Sequence, residues 1–136
     1  MSAHNRKLSV LVLDLGGNEF QIQCRKAEII NNTDDSEFFP TYAPDGGFIE
    51  AADAAFALDL EFYSDWRSNG VSRWLWEHDG ETVPYSVTHH PDIPAETVIF
   101  TGECQIKAPN VGGEIRTTEV TACVLVCSGK PDMDTP

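Results

Sequence analysis

Basic residues are scarce in this chain. Nine Lys and Arg stand against 22 Asp and Glu over 136 residues, a formal net charge of −13. A protein that holds nucleic acid without sequence preference needs a basic footprint, and one that adheres to an anionic membrane needs the same sign. The balance argues against both. Long apolar runs are also missing. Arg6-Lys7 and residues 8–13 imitate a signal peptide in outline, but the run falls short of a core of about 7–15 residues and far short of the roughly 18 of a membrane span. It is read as a strand. None of the four cysteines, Cys24, Cys104, Cys123 and Cys127, forms a CxxC pair. In a strand, Cys123 and Cys127 share one face roughly 13 Å apart, too far to bridge. Reduced, buried thiols in a chain made in a cytoplasm are the expectation.

Catalytic signatures are equally thin. There is no GxSxG, P-loop, HExxH or Rossmann GxGxxG pattern. The cysteines and His89-His90 match no standard zinc spacing, and the acidic residues lack the order of a calcium loop. Asp59 and Glu61 lie two apart, as on any solvent-facing strand. No enzyme, catalytic residue, metal or cofactor is expected.

What the chain does have is 41% apolar residues and 10% aromatics, a folding composition sufficient for one domain over residues 1–136. Its acidity is local. Residues 27–66 hold ten acids and no Lys or Arg, whereas residues 1–26 hold four bases and two acids. Alternating apolar positions predict strands over residues 7–15, 19–28, 52–63, 81–88, 97–107 and 114–127. The first is apolar on both faces, and Gly16-Gly17-Asn18 turns it into a hairpin with the second. On 52–63, Phe56, Leu58, Leu60 and Phe62 share one face, with Asp59 and Glu61 opposite. Pro84 marks 81–88 as an edge strand. On 114–127, Val120, Ala122, Val124 and Val126 oppose Thr117, Glu119 and Thr121. One helix is predicted over residues 69–78, with Val71, Trp74, Leu75 and His78 as its buried face.

Between residues 31 and 51 periodicity vanishes. A loop of that length without structure of its own is usually functional or disordered. It carries Asp34 and Asp35, and also Phe38, Phe39, Tyr42 and Phe48, which a purely solvated loop does not need. Docking on a partner would account for them. The tail, residues 129–136, is expected to be flexible. The fold expected is mainly β, an antiparallel β-sandwich or half-barrel with one short flanking α-helix.

Two stretches resemble a known family. One is Phe100-Thr101-Gly102-Glu103-Cys104-Gln105-Ile106-Lys107-Ala108-Pro109-Asn110-Val111-Gly112-Gly113-Glu114-Ile115, followed by a Thr/Val-rich strand and Gly129-Lys130-Pro131. The other runs from Leu58-Asp59-Leu60-Glu61-Phe62-Tyr63-Ser64-Asp65 into Trp74-Leu75-Trp76-Glu77-His78-Asp79-Gly80. Both are similar to the major tail tube proteins of long-tailed, siphovirus-like bacteriophages, over a little more than half of the chain. The resemblance implies a sandwich whose inner sheet completes a β-barrel in a hexameric ring, and rings that stack into a hollow tube for double-stranded DNA. It implies a virion tail protein, made in the host cytoplasm, whose partners are itself, the tape-measure protein, and tail-terminator and baseplate-side proteins, with no membrane. On it, residues 31–51 become an inter-subunit loop, and Asp59, Glu61, Glu103, Gln105 and Glu119 become candidates for the channel lining. An acidic wall repels phosphate, so DNA would pass without adsorbing. Two other readings remain open: a head–tail connector or tail-terminator ring protein, and a small soluble ligand-binding β-domain with Trp66, Trp74 and Trp76 around its pocket.

Overall fold

In the computed structural model, which describes residues 3, 4 and 6–136, the strand with the cleanest alternation sets the architecture. Phe56–Tyr63 buries Leu58, Leu60 and Phe62 completely and turns Asp59 and Glu61 outward. Along the described chain the elements are β1 Leu11–Leu15, β2 Asn18–Glu19, β3 Cys24–Asn31, β4 Glu37–Pro40, β5 Gly47–Glu50, β6 Phe56–Tyr63, α1 Val71–Glu77, β7 Thr82–His89, β8 Val98–Gln105, β9 Val120–Val126 and β10 Asp132–Asp134. They form a five-stranded sheet in the order β10-β8-β7-β1-β2, a three-stranded sheet β3-β6-β9, and a separate hairpin β4-β5. All pairings are antiparallel.

The fold is therefore the expected mainly-β sandwich, without barrel closure. Leu13, Leu15, Tyr85, Val87 and Cys104 from the larger sheet meet Leu58, Leu60, Phe62, Cys123 and Leu125 from the smaller in one core. Helix α1 adds Val71 and Leu75, both buried.

Several expectations are corrected. Strand β1 begins only at Leu11, and residues 7–10 form no strand. The two-residue turn at Gly16 and Gly17 is present, with φ of 60° and 88° as a type I′ hairpin requires. The hairpin then ends after Asn18–Glu19, because residues 21–23 turn the chain into the other sheet, where β3 pairs with β6. Ile22 falls on that turn and is exposed. Strand β7 lies inside its sheet despite Pro84. The Gly16 N–H donates to the Pro84 carbonyl, so the proline nitrogen faces the side where β1 has just turned away, and the ladder needs no donor there.

Strand β9 spans only Val120–Val126; its C-terminal half is apolar on both faces in the sequence, and the face with Thr121 is the one that packs inward. Thr121 is fully buried with Cys123 and Leu125, whereas Val124 and Val126 are exposed. The expected flexible tail supplies β10, paired with β8 from Asp132↔Thr101 to Asp134↔Ile99. The expected structureless loop at 31–51 contains the β4-β5 hairpin.

Candidate functional site

The β4-β5 hairpin is an arm that pairs with neither sandwich sheet. Its root is fixed where β3 ends and β6 begins: the Asn32 N–H donates to the Ala55 carbonyl at 2.6 Å, and the Ala55 N–H to Thr33 Oγ1 at 3.0 Å. Phe39 lies directly across from Phe48, and their rings stack with centroids 5.3 Å apart. On the other face Phe38 opposes Ile49, at 62% and 70% exposure. Tyr42 at the tip is fully exposed, and Asp34 and Asp35 near the root are exposed. An isolated two-stranded hairpin is marginally stable in water. This one carries apolar side chains on both faces and has no sheet beneath it.

The five residues expected on a channel wall, four acids and Gln105, do not share one surface. Asp59 and Glu61 project from β6, the middle strand of the smaller sheet, and each has a basic partner on β3: Lys26 Nζ lies 2.8 Å from Asp59 Oδ2, and Arg25 Nε lies 3.0 Å from Glu61 Oε2. The Asp59 carboxylate raises the Lys26 pKa, chiefly through that hydrogen bond. Their negative charge is compensated locally. Glu103 and Gln105 project from β8, in the other layer. Glu119 precedes β9 and accepts a hydrogen bond from Trp66 Nε1 at 3.2 Å. Sequence reasoning missed Arg25 and Lys26 as partners because the β3–β6 register that joins them is not visible in alternation.

Helix α1 is locked by a buried hydroxyl cluster. Thr121 Oγ1 lies 2.8 Å from both Ser64 Oγ and Ser72 Oγ, and Ser72 Oγ accepts the Asp65 N–H at 3.0 Å. Ser72 and Thr121 have no exposed surface. Thr121→Val leaves these hydroxyls short of a partner, at a cost of about 1–3 kcal/mol; the urea midpoint should fall with the slope unchanged. Trp74, half-buried, packs on Phe20 with centroids 5.3 Å apart, and His78 stacks on Trp74 at 4.5 Å while its Nδ1 meets the Trp74 carbonyl. Trp66 and Trp76 meet edge to face elsewhere. The three tryptophans thus do not surround one pocket.

All four cysteines are free thiols. Burial pushes Cys104 and Cys123 up to about 12 from an ordinary value of 9.0. The unfolded chain ionises these thiols near the ordinary value while the folded chain keeps them protonated. Stability from this source is complete below about pH 9 and declines as pH rises toward 12. Urea midpoints at pH 8 and pH 10 should differ in that direction, and native Cys104 and Cys123 should resist alkylation at pH 8.

By geometry, then, the molecule is an antiparallel β-sandwich with a projecting apolar arm and open sheet edges. No family model matches the chain, and no curated protein matches its sequence. A solved structure similar to it is that of the Dit (gp 19.1) protein of SPP1, described as a paradigm of the hub adsorption apparatus in phages infecting Gram-positive bacteria. The TM-score is 0.45 at 16% identity, over 88% of this chain and 50% of that one, so the chain spans half the length of that protein.

Proposed function

We propose that this chain is a structural, non-catalytic subunit of a phage tail, assembling into hexameric rings that stack as a tube for double-stranded DNA. The observation that carries the reading is the arm, whose apolar faces have no surface to cover them in the single chain. The sequence resemblance to tail tube proteins supports it. So does the sheet arrangement: β3 and β9 are opposite edges of the same three-stranded sheet. Joining β9 of one copy to β3 of the next is a head-to-tail contact, which gives a ring when its rotation closes and removes both open edges.

On this reading the middle strand of the joined sheet, with Asp59 and Glu61, faces the channel, and Glu103 and Gln105 face outward. The channel wall then carries Asp59 and Glu61, neutralised by Lys26 and Arg25, beside Val124 and Val126 on the same face of the sheet. Tape-measure, tail-terminator and baseplate-side proteins are the proposed partners, in a virion tail assembled in the host cytoplasm. Negative-stain microscopy of the purified protein tests the tube: stacked rings are expected. Single rings that never stack would favour a tail terminator instead, and a monomer at every concentration would refute assembly.

A further inference from the structure

Cys104 on β8 and Cys127, the residue after β9, stand opposite each other in an antiparallel bridge, the one β-bridge that ties the larger sheet to the smaller among the described residues. The hydrogen bonds around it fix the kind of pair. The Ser128 N–H donates to the Glu103 carbonyl at 2.8 Å, while the Cys127 N–H turns away to the Phe56 carbonyl at 2.9 Å. The two cysteines are therefore a non-hydrogen-bonded pair, in which Cα atoms approach to about 4.5 Å and side chains on the shared face come closest. Disulfides span Cα separations of roughly 4.4–6.8 Å. Both side chains belong to the core cluster between the sheets. Cys123 faces Leu60 and Cys24 faces Phe62, so neither has a cysteine opposite it. We propose that Cys104 and Cys127 are a latent disulfide, reduced while the chain is made and closed by a small peroxide to staple the two sheets together.

A third group completes the site. Gly102, two residues before Cys104 on β8, pairs with Tyr85 on β7. A Cβ built at Gly102 would stand 2.8 Å from the Tyr85 hydroxyl oxygen, so the absent side chain makes room for the phenol. That hydroxyl is buried and has no hydrogen-bond partner among the described residues, which leaves its O–H free to donate to a thiolate. Burial pushes the Cys104 thiol up to about 12, whereas at Cys127 the Tyr85 hydroxyl counters burial, so Cys127 ionises first. The Cys127 thiolate attacks one oxygen of hydrogen peroxide, the O–O bond breaks, and a sulfenic acid and hydroxide form. The hydroxide takes up the proton that Cys127 released. Cys104 Sγ then attacks Cys127 Sγ, the S–O bond breaks, and the Cys104 proton leaves with that oxygen as water. Two thiols thus lose two electrons and two protons, and one peroxide becomes two waters. Only the timing rests on the assembly reading, in which the subunit is made in a reducing cytoplasm and serves outside it.

The test treats the full wild-type chain with dilute hydrogen peroxide at pH 8, then denatures it, alkylates the remaining thiols and maps the peptides without reduction. Before oxidation all four cysteines should be alkylated. Afterwards only Cys24 and Cys123 should be, with the Cys104 and Cys127 peptides joined. The cross-link constrains the unfolded chain, so the thermal midpoint should rise by about 10 °C and return to its starting value in dithiothreitol. Cys123→Ala should still form the bond, and Cys127→Ala should leave Cys104 open to alkylation after peroxide. Tyr85→Phe, which keeps the ring, should form the bond at least about threefold more slowly. Four thiols still free after oxidation, a different pairing, or sulfinic acid at Cys127 with no cross-link would each overturn the proposal, whether or not the chain assembles. A chain that forms the bond but never assembles keeps the disulfide and loses the assembly reading.

Discussion

Deletion of residues 34–47 yields a folded protein that no longer assembles. The folded part follows from how the arm is attached. Among the described residues the arm's strands pair only with each other, and none of its side chains belongs to the core cluster. The deletion shortens the connection between β3 and β6 by more than half, which changes loop-closure entropy by only about 0.6 kcal/mol, in the stabilising direction. The hydroxyl cluster, the β3–β6 register and α1 are untouched. The assembly part follows from exposure, because the deletion removes Phe38 and Tyr42, which are exposed in the single chain. The paired change Phe38→Ser and Ile49→Ser tests the same point without altering chain length. Its far-ultraviolet spectrum should match the wild type while light scattering reports loss of oligomer. A deletion variant that still forms normal oligomers would remove the arm from the account.

Gly70→Ala should be the most damaging single methyl in the sandwich. Gly70 is the N-cap of α1 with ordinary negative φ, so its requirement is space, not backbone freedom. A Cβ built there stands 2.2 Å from the Asp65 carbonyl oxygen and 2.6 Å from the Asp65 carboxyl carbon. The carbonyl cannot easily yield, since it accepts the N–H groups of Ser72 and Arg73. The carboxylate is held by Arg67, whose hydrogen bonds lower the Asp65 pKa. Ser72 in turn reaches Thr121 on β9, so the clash propagates from the helix start to the smaller sheet. Overpacking costs typically 1–3 kcal/mol, and an immobile backbone neighbour places this case at the upper end. For a domain of this size about 4 °C accompanies each kcal/mol, so the thermal midpoint should drop by about 10 °C. Asn69→Ala, exposed and adjacent, should leave it unchanged.

The elements that follow one rule of periodicity were legible in the sequence. Strand β6 and helix α1 each alternate against a single buried layer, and Leu58, Leu60, Phe62, Val71 and Leu75 are buried as the pattern demands. Legibility ended where a partner strand decides the outcome. Thr121 reads as a solvent-facing residue, yet two serines distant in sequence satisfy its hydroxyl and permit its burial. Pro84 reads as an edge residue, yet the turn at Gly16 frees the position beside it. The arm was hidden because Pro40, Pro44 and Gly46-Gly47 hide two four-residue strands that no core patterns. An apolar groove between the two sheets was invisible for a related reason. It is lined from β1, β3, β6, β7 and β8 together with residues 130–133, and only the packing of two sheets brings them together.

The central claim, that this chain associates head to tail through its arm, is tested most directly by sedimentation velocity of the full-length protein over a wide concentration range. A hexamer and multiples of it are expected, with no dominant dimer, because the two surfaces that meet in a head-to-tail contact differ. A species that remains monomeric throughout, or stops at a symmetric dimer, would contradict it.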